Sequence, residues 1–258
     1  MTKIYVNGCS FSHGHKDFGH NDAPPGWVWP SLVNEICPVI NEARLGSSNH
    51  RILRRSTEFL ESISDPKDWV FVVQLSNIER QEFYYDNFQF WIGRVNQHMV
   101  LDDRASNSKY LTHETNDKLL KLVEHDLNYT ALVHTSLLEK AYRLLQNITA
   151  FEYFCKIKGV DRVLYTSLGM SSSLKYWFEP LPVSKQSIIP GEEYKDHKLY
   201  KDCCRLYKML NISDRILQPI SHIARGYEES NEDGHPNQKG HTMFYRYIIN
   251  EFKLRNYI

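Results

Sequence analysis

The chain has 258 residues, with 31 Lys and Arg against 31 Asp and Glu, so its formal charge is zero. That length supports a large core, and the balanced charge excludes an overall electrostatic drive toward nucleic acid or a membrane surface. No stretch approaches the ~20 apolar residues of a membrane span, and the five cysteines are an odd number without metal-type spacing, which reads as a reducing, cytoplasmic setting.

Lys3 to Asn7 is a β-branched and aromatic run that stops at Gly8, the pattern of a buried first strand. Residues 12–26, rich in Gly, His, Asp and Pro, read as loop, and Trp27 to Ile36 as a short helix. A second strand is expected over Val39 to Leu45. Gly46-Ser47-Ser48-Asn49 then reads as a turn feeding a helix N-cap. The helix runs to about Ile63, with Ile52, Leu53, Phe59, Leu60 and Ile63 on one face, and Asp65-Pro66 ends it. Trp69 to Leu75 is the continuous run expected of a central strand in a parallel sheet.

From Ser76 to about Asn116 the periodicity fails. Phe83, Tyr84, Tyr85, Phe88, Phe90 and Trp91 lie close together, and the segment reads as an aromatic-rich insertion, at about 77–117, over the edge of the sheet in a single domain spanning 1–258. Its aromatics serve either packing or stacking on a substrate. Leu137, Ala141, Leu144, Ile148, Phe151 and Cys155 recur at three and four residues, which predicts a long helix ending near Gly159. Arg162 to Ser167 supplies a fourth strand. A helix around Tyr200 to Leu210, a short strand at Arg215 to Gln218 and a last helix from about Asn237 to Phe252 follow. Strands alternating with helices imply a parallel sheet covered on both faces, with its ligand crevice at the carboxyl ends of the strands.

The chemistry-bearing residues fall at those strand ends. Gly8-Cys9-Ser10-Phe11-Ser12 follows the first strand, Gly46 to Asn49 the second, and Ser76 and Asn77 the third, while Glu232-Asp233-Gly234-His235-Pro236-Asn237 precedes the last helix. These four segments, in this order, resemble the blocks of the SGNH (GDSL-like) hydrolases: Gly-Asp-Ser-Leu, a lone Gly, Gly-x-Asn-Asp and Asp-x-x-His. The resemblance spans residues 8 to 241. Cys9 stands where the family has Asp and Phe11 where it has Leu, a variant similar to divergent bacterial and phage members.

The resemblance implies a three-layer α/β/α, flavodoxin-like fold and a catalytic triad. Ser10 takes the place of the nucleophile, His235 that of its base, and Asp233 that of the acid, with Glu232 as the alternative because it stands three residues before the histidine. It also implies oxyanion donors from the Ser10 and Gly46 N–H groups and one further side chain. Aligning the third block puts Ser76 at the usual Asn position and Asn77 one residue late, and Asn49 is the other source of an amide. Each residue has a plainer reading: Ser10 and Asn49 as helix N-caps, and His235 as a loop residue before a Pro-started helix. Ser12 is a competing hydroxyl and Cys9 a competing thiol. His13, His15, Asp17, His20 and Asp22 contain a His-x-His that can ligate zinc, but a polar loop beside a cleft needs no metal, and no cofactor is expected. The implied activity is removal of an acyl or O-acetyl group from a small-molecule or glycan ester through an acyl-Ser10 intermediate, without nucleic acid or membrane as partner. An acyltransferase on the same site and a non-catalytic protein that keeps the fold are the rival readings.

Overall fold

The computed structural model describes residues 1–13, 26–44, 46–78, 80–85, 90–95, 98–101, 137–169, 172–179, 194–224 and 235–258. Four parallel strands form the central sheet: β1 (Lys3–Asn7), β2 (Val39–Asn41), β3 (Trp69–Leu75) and β7 (Val163–Ser167), in the order β2-β1-β3-β7. This is the start of the flavodoxin-like 2-1-3-4-5 order. The place of a fifth strand is taken by a single parallel bridge between Tyr165 and Ile216, where Leu217 N–H donates to Tyr165 O at 2.7 Å. The strand expected at Arg215 to Gln218 is therefore corrected to a 3-10 turn, Ser213–Arg215, and one bridge. Pro219 lacks an N–H, and the Gln218 N–H goes to the Tyr247 hydroxyl, so the ladder has no donors with which to continue.

Helices cover both faces. On one lie α3 (Asn49–Ser62), α4 (Leu137–Lys158), α5 (Leu174–Phe178) and α6 (Lys198–Leu210). Their buried Ile52, Leu60, Leu145, Ile148, Phe151, Trp177 and Cys203 pack on Tyr5, Phe71, Val73 and Tyr165 of the sheet. On the other face lie α2 (Trp29–Val33), α7 (Ile220–Ala224) and α8 (Gln238–Leu254), whose Trp29, Val33, Ile220, Phe244, Ile248 and Phe252 pack on Ile4, Val6, Val70, Val72 and Leu164. The period-two alternation of β1 and β3 divides these two cores. A short α1 (Ser10–His13) follows β1 directly.

β2 ends at Asn41 rather than Leu45. The Asn41 carboxamide accepts from Ala43 N–H at 3.1 Å and donates to Ser12 O at 2.9 Å, while Glu42 and Arg44 N–H still donate to Val6 O and Gly8 O, so backbone pairing continues past the regular strand. The aromatic segment after β3 is not irregular where it is described. It forms an antiparallel meander of β4 (Gln81–Tyr85), β5 (Phe90–Val95) and β6 (His98–Leu101), whose first strand touches α3. No helix among the described residues is long and apolar enough to cross a membrane.

Candidate active site

Ser10 owes its position to a close approach of backbone and side chain. Gly8 lies beyond the end of β1, and a Cβ there would sit 2.6 Å from Gln74 Oε1 and 2.7 Å from Gln74 Cβ. Only glycine fits against that β3 side chain. The chain then turns at once into α1, with Ser12 and His13 N–H both donating to Cys9 O at 3.0 Å. Ser10 is the first helical residue rather than its cap, and its Oγ lies 2.7 Å from His235 Nε2 and 3.9 Å from Cys9 Sγ.

His235 precedes α8, whose N-cap is Asn237, with its Oδ1 accepting from Gly240 N–H at 3.0 Å. The helix therefore starts after Asn237, and Pro236 stands outside it, which corrects the Pro-started reading. The Phe11 ring meets the His235 ring edge to face at 4.9 Å and 87°, so the bulky residue in the Leu position of the first block packs against the imidazole. Behind it His241 is buried, and its Nδ1 accepts from Trp29 N–H at 3.4 Å. Burial first, and then the nearby His235, push the His241 pKa down to about 3, so it is a neutral acceptor near pH 7. Asp233 and Glu232 lie outside the described residues.

The opposite wall comes from the turn before α3. Gly46 has φ 72°, in the left-handed region where a side chain is strained. Ser48 is the N-cap of α3, accepting from Arg51 N–H at 3.1 Å, so the cap reading of Asn49 is corrected to the first helical residue. This frees the Asn49 amide for another task. Its Nδ2 donates to Ser76 O at 3.0 Å and its Oδ1 accepts from Ser76 N–H at 2.7 Å, a two-bond clasp joining α3 to the end of β3. The sequence-derived alternatives Asn49 and Ser76 are thus neighbours. Ser76 is fully buried, and its Oγ meets no partner among the described residues, whereas Asn49 keeps 6% exposure and a second Nδ2 hydrogen.

Ser12 faces away from this chemistry. Its Oγ donates to Gln74 Oε1 at 2.6 Å and accepts from Trp29 Nε1–H at 3.3 Å, with the residue fully buried. Gln74 was missed by sequence reasoning, although a signal was present: it is the one polar residue in the buried run Trp69–Leu75, and a buried carboxamide must be hydrogen-bonded. It also donates from Nε2 to Cys9 Sγ at 2.9 Å and accepts weakly from Cys9 N–H at 3.4 Å. All five cysteines are free thiols, and Cys9 is fully buried. His13 is buried on α1, while His15, Asp17, His20 and Asp22 lie outside the described residues. Among the described residues no group of three His, Cys, Asp or Glu is placed to hold a metal ion.

No protein-family model and no curated protein matches the sequence. Solved structures similar to it over nearly the whole chain include the following three. The psychrotrophic esterase EstA from a Pseudoalteromonas species, inhibited by monoethylphosphonate, is 12% identical and covers 98% of this chain and 97% of its own, with a TM-score of 0.48. TesA is 14% identical, with 98% of each chain covered and a TM-score of 0.46. A member of the lipolytic protein G-D-S-L family from Veillonella parvula is 10% identical over 98% of this chain and 99% of its own, also with a TM-score of 0.46.

Proposed function

We propose that this chain is an SGNH-type serine esterase that removes an acyl or O-acetyl group from a small-molecule or glycan ester. The observation that carries the reading is the 2.7 Å approach of His235 Nε2 to Ser10 Oγ, made by residues 225 positions apart in sequence at the carboxyl end of the sheet. A serine hydroxyl is a weak nucleophile until a base accepts its proton, and this contact is at hydrogen-bond distance.

In the proposed reaction Ser10 Oγ attacks the ester carbonyl carbon as its proton passes to His235 Nε2. The carbonyl π electrons move to oxygen, giving a tetrahedral oxyanion. Collapse of that intermediate breaks the bond to the leaving oxygen, which takes the proton from His235 and departs as the alcohol. Water then attacks the acyl-Ser10 ester by the same route, releasing the acid and restoring the serine. The oxyanion donors in this scheme are Ser10 N–H, Gly46 N–H and the second hydrogen of Asn49 Nδ2. We place Asn49 before Ser76 because Ser76 is wholly enclosed while Asn49 retains an exposed edge. Asp233, with Glu232 as alternative, orients His235 through its other ring nitrogen.

The test is hydrolysis of p-nitrophenyl acetate and labelling by a fluorophosphonate. Ser10→Ala and His235→Ala are each expected to lower Ser10-dependent turnover by on the order of 10⁴-fold or more, because triad members act as a unit. Equal turnover in wild type and Ser10→Ala, with neither protein labelled, overturns the reading.

A further inference from the structure

The roles within the buried chain of polar groups beneath Ser10 follow from donor and acceptor chemistry. The Trp29 indole N–H can only donate, so Ser12 Oγ accepts from it at 3.3 Å. The single Ser12 hydroxyl proton is then available for the partner at 2.6 Å, and the Gln74 atom facing it must be the carbonyl oxygen. That choice turns Gln74 Nε2 toward Cys9 Sγ, which accepts at 2.9 Å. Ser10 Oγ lies 3.9 Å from the same sulfur, a long contact in which the hydroxyl is the donor. Ser10 Oγ, in turn, lies 2.7 Å from His235 Nε2. Every member from Trp29 to Cys9 is fully buried, so water does not compete for these hydrogens.

We infer that Gln74 is a positioning residue for Ser10: its carboxamide holds the turn on both sides of the nucleophile, Cys9 through Sγ and N–H and Ser12 through Oγ, and so fixes where Ser10 Oγ meets His235 Nε2. This rests on the esterase reading and adds to it. Cys9 is then neither a rival nucleophile nor a filler. Its sulfur is the point at which the Gln74 amide holds the turn that carries Ser10. Gln74 also fills the space over Gly8, so one side chain fixes both the path of the nucleophile loop and the direction of its hydrogen bonds.

Three variants of the chain test this: Gln74→Met, which keeps volume but removes the hydrogen bonds to Ser12 and Cys9, Cys9→Ala, which removes only the thiol link, and Gln74→Glu. With p-nitrophenyl acetate, Gln74→Met and Cys9→Ala are expected to lower kcat by about ten-fold or more, as small misplacements of reacting groups do, with KM little changed. Fluorophosphonate labelling of Ser10 should slow in parallel, and thermal melting identifies the folded variants. Gln74→Glu supplies a readout that packing alone does not move. Protonated, the new carboxyl donates toward Cys9 Sγ as the amide does. Ionised, it has no proton to give Cys9 Sγ, and that hold on the turn is lost. The ratio of its kcat to that of wild type should therefore fall as pH rises.

Wild-type kcat in folded Cys9→Ala, or a ratio for Gln74→Glu that is flat with pH, overturns the inference while leaving the esterase reading intact. Should Gln74→Met fail to fold, Cys9→Ala and Gln74→Glu decide alone. Absence of Ser10-dependent turnover in wild type itself removes the esterase reading, and this inference with it.

Discussion

On one face of the sheet Phe71 lies 5.1 Å from the Tyr5 ring and 6.3 Å from Phe151, with Phe59 stacked on Tyr5 at 4.2 Å. On the other face Val70 and Val72 of the same strand begin an equally dry core, but the next residue on that face is Gln74, followed in space by Ser12, Cys9 and Ser10. Along β3 the two faces differ by the one position at which an apolar side chain was not used. Real sequences break the rule of an apolar interior chiefly where chemistry or strain needs it, and here the break lies under the candidate nucleophile.

The largest expected effect breaks the dry face. Phe71→Ala removes a fully buried ring and leaves a cavity between β3, α3 and α4, and is expected to cost ~3–5 kcal/mol of unfolding free energy. Chemical denaturation measures it. Turnover per folded molecule should stay near wild type, because the ring faces away from Ser10. A comparable loss of kcat in the folded protein would show that the faces are not separable.

Next in size is Asn49→Ala on the catalytic edge, with a ~10²–10³-fold fall in kcat expected if its amide is the third oxyanion donor. Ser76→Ala, which spares the backbone clasp, should change kcat little. The reverse ranking would move the donor role to Ser76.

A third prediction uses His241. Its pKa is depressed from 6.5 to about 3 by burial and by His235, so below pH 6.5 the unfolded chain binds a proton that the folded chain refuses. Its contribution to stability is complete above pH 6.5 and is lost progressively as pH falls from there toward 3, with a slope of up to ~1.4 kcal/mol per pH unit. His241→Gln keeps an acceptor for Trp29 N–H and does not titrate. Its melting temperature should fall less than that of wild type between pH 7 and about 4.5. Parallel curves would remove His241 from the acid response.

Much of this architecture was legible because long elements advertise themselves. Trp69–Leu75 and the helix ending at Lys158 are read from an unbroken apolar run and a sustained three-four spacing, and both stand where expected. Helices Leu174–Phe178 and Ile220–Ala224 span five residues each, too few to show a period in sequence. The strands Gln81–Tyr85, Phe90–Val95 and His98–Leu101 show no polar-apolar alternation in sequence, so no period marks them although their aromatics favour strands. At the site, Ser10, Gly46, Asn49 and Ser76 are visible in sequence because they follow strands, and His235 because it precedes the last helix. Gln74 is not, because its partners, Ser12 in α1 and Cys9 in the turn before it, are brought to β3 only by the fold. The cap was displaced by one residue for a local reason: of two adjacent residues able to cap, Ser48 took the role and left the Asn49 carboxamide to reach Ser76.

That last choice supports the smallest expected effect. Ser48→Ala removes the side-chain acceptor of Arg51 N–H and should cost ~1 kcal/mol, whereas Ser48→Gly should cost only a few tenths, because glycine leaves the helix terminus open to water. Denaturant midpoints at constant slope measure both. The same pair bears on function through the residue next in sequence. If the cap merely stabilises α3, both variants turn over p-nitrophenyl acetate at the wild-type rate once folded. If the cap also holds the first turn in the register that lets Asn49 clasp Ser76, Ser48→Ala lowers kcat without altering KM, and Ser48→Gly lowers it further because the residue before Asn49 gains backbone freedom. Stability would then follow glycine before alanine, and kcat alanine before glycine. Such a crossed ranking separates a cap that only holds a helix from one that also positions the active edge of the sheet.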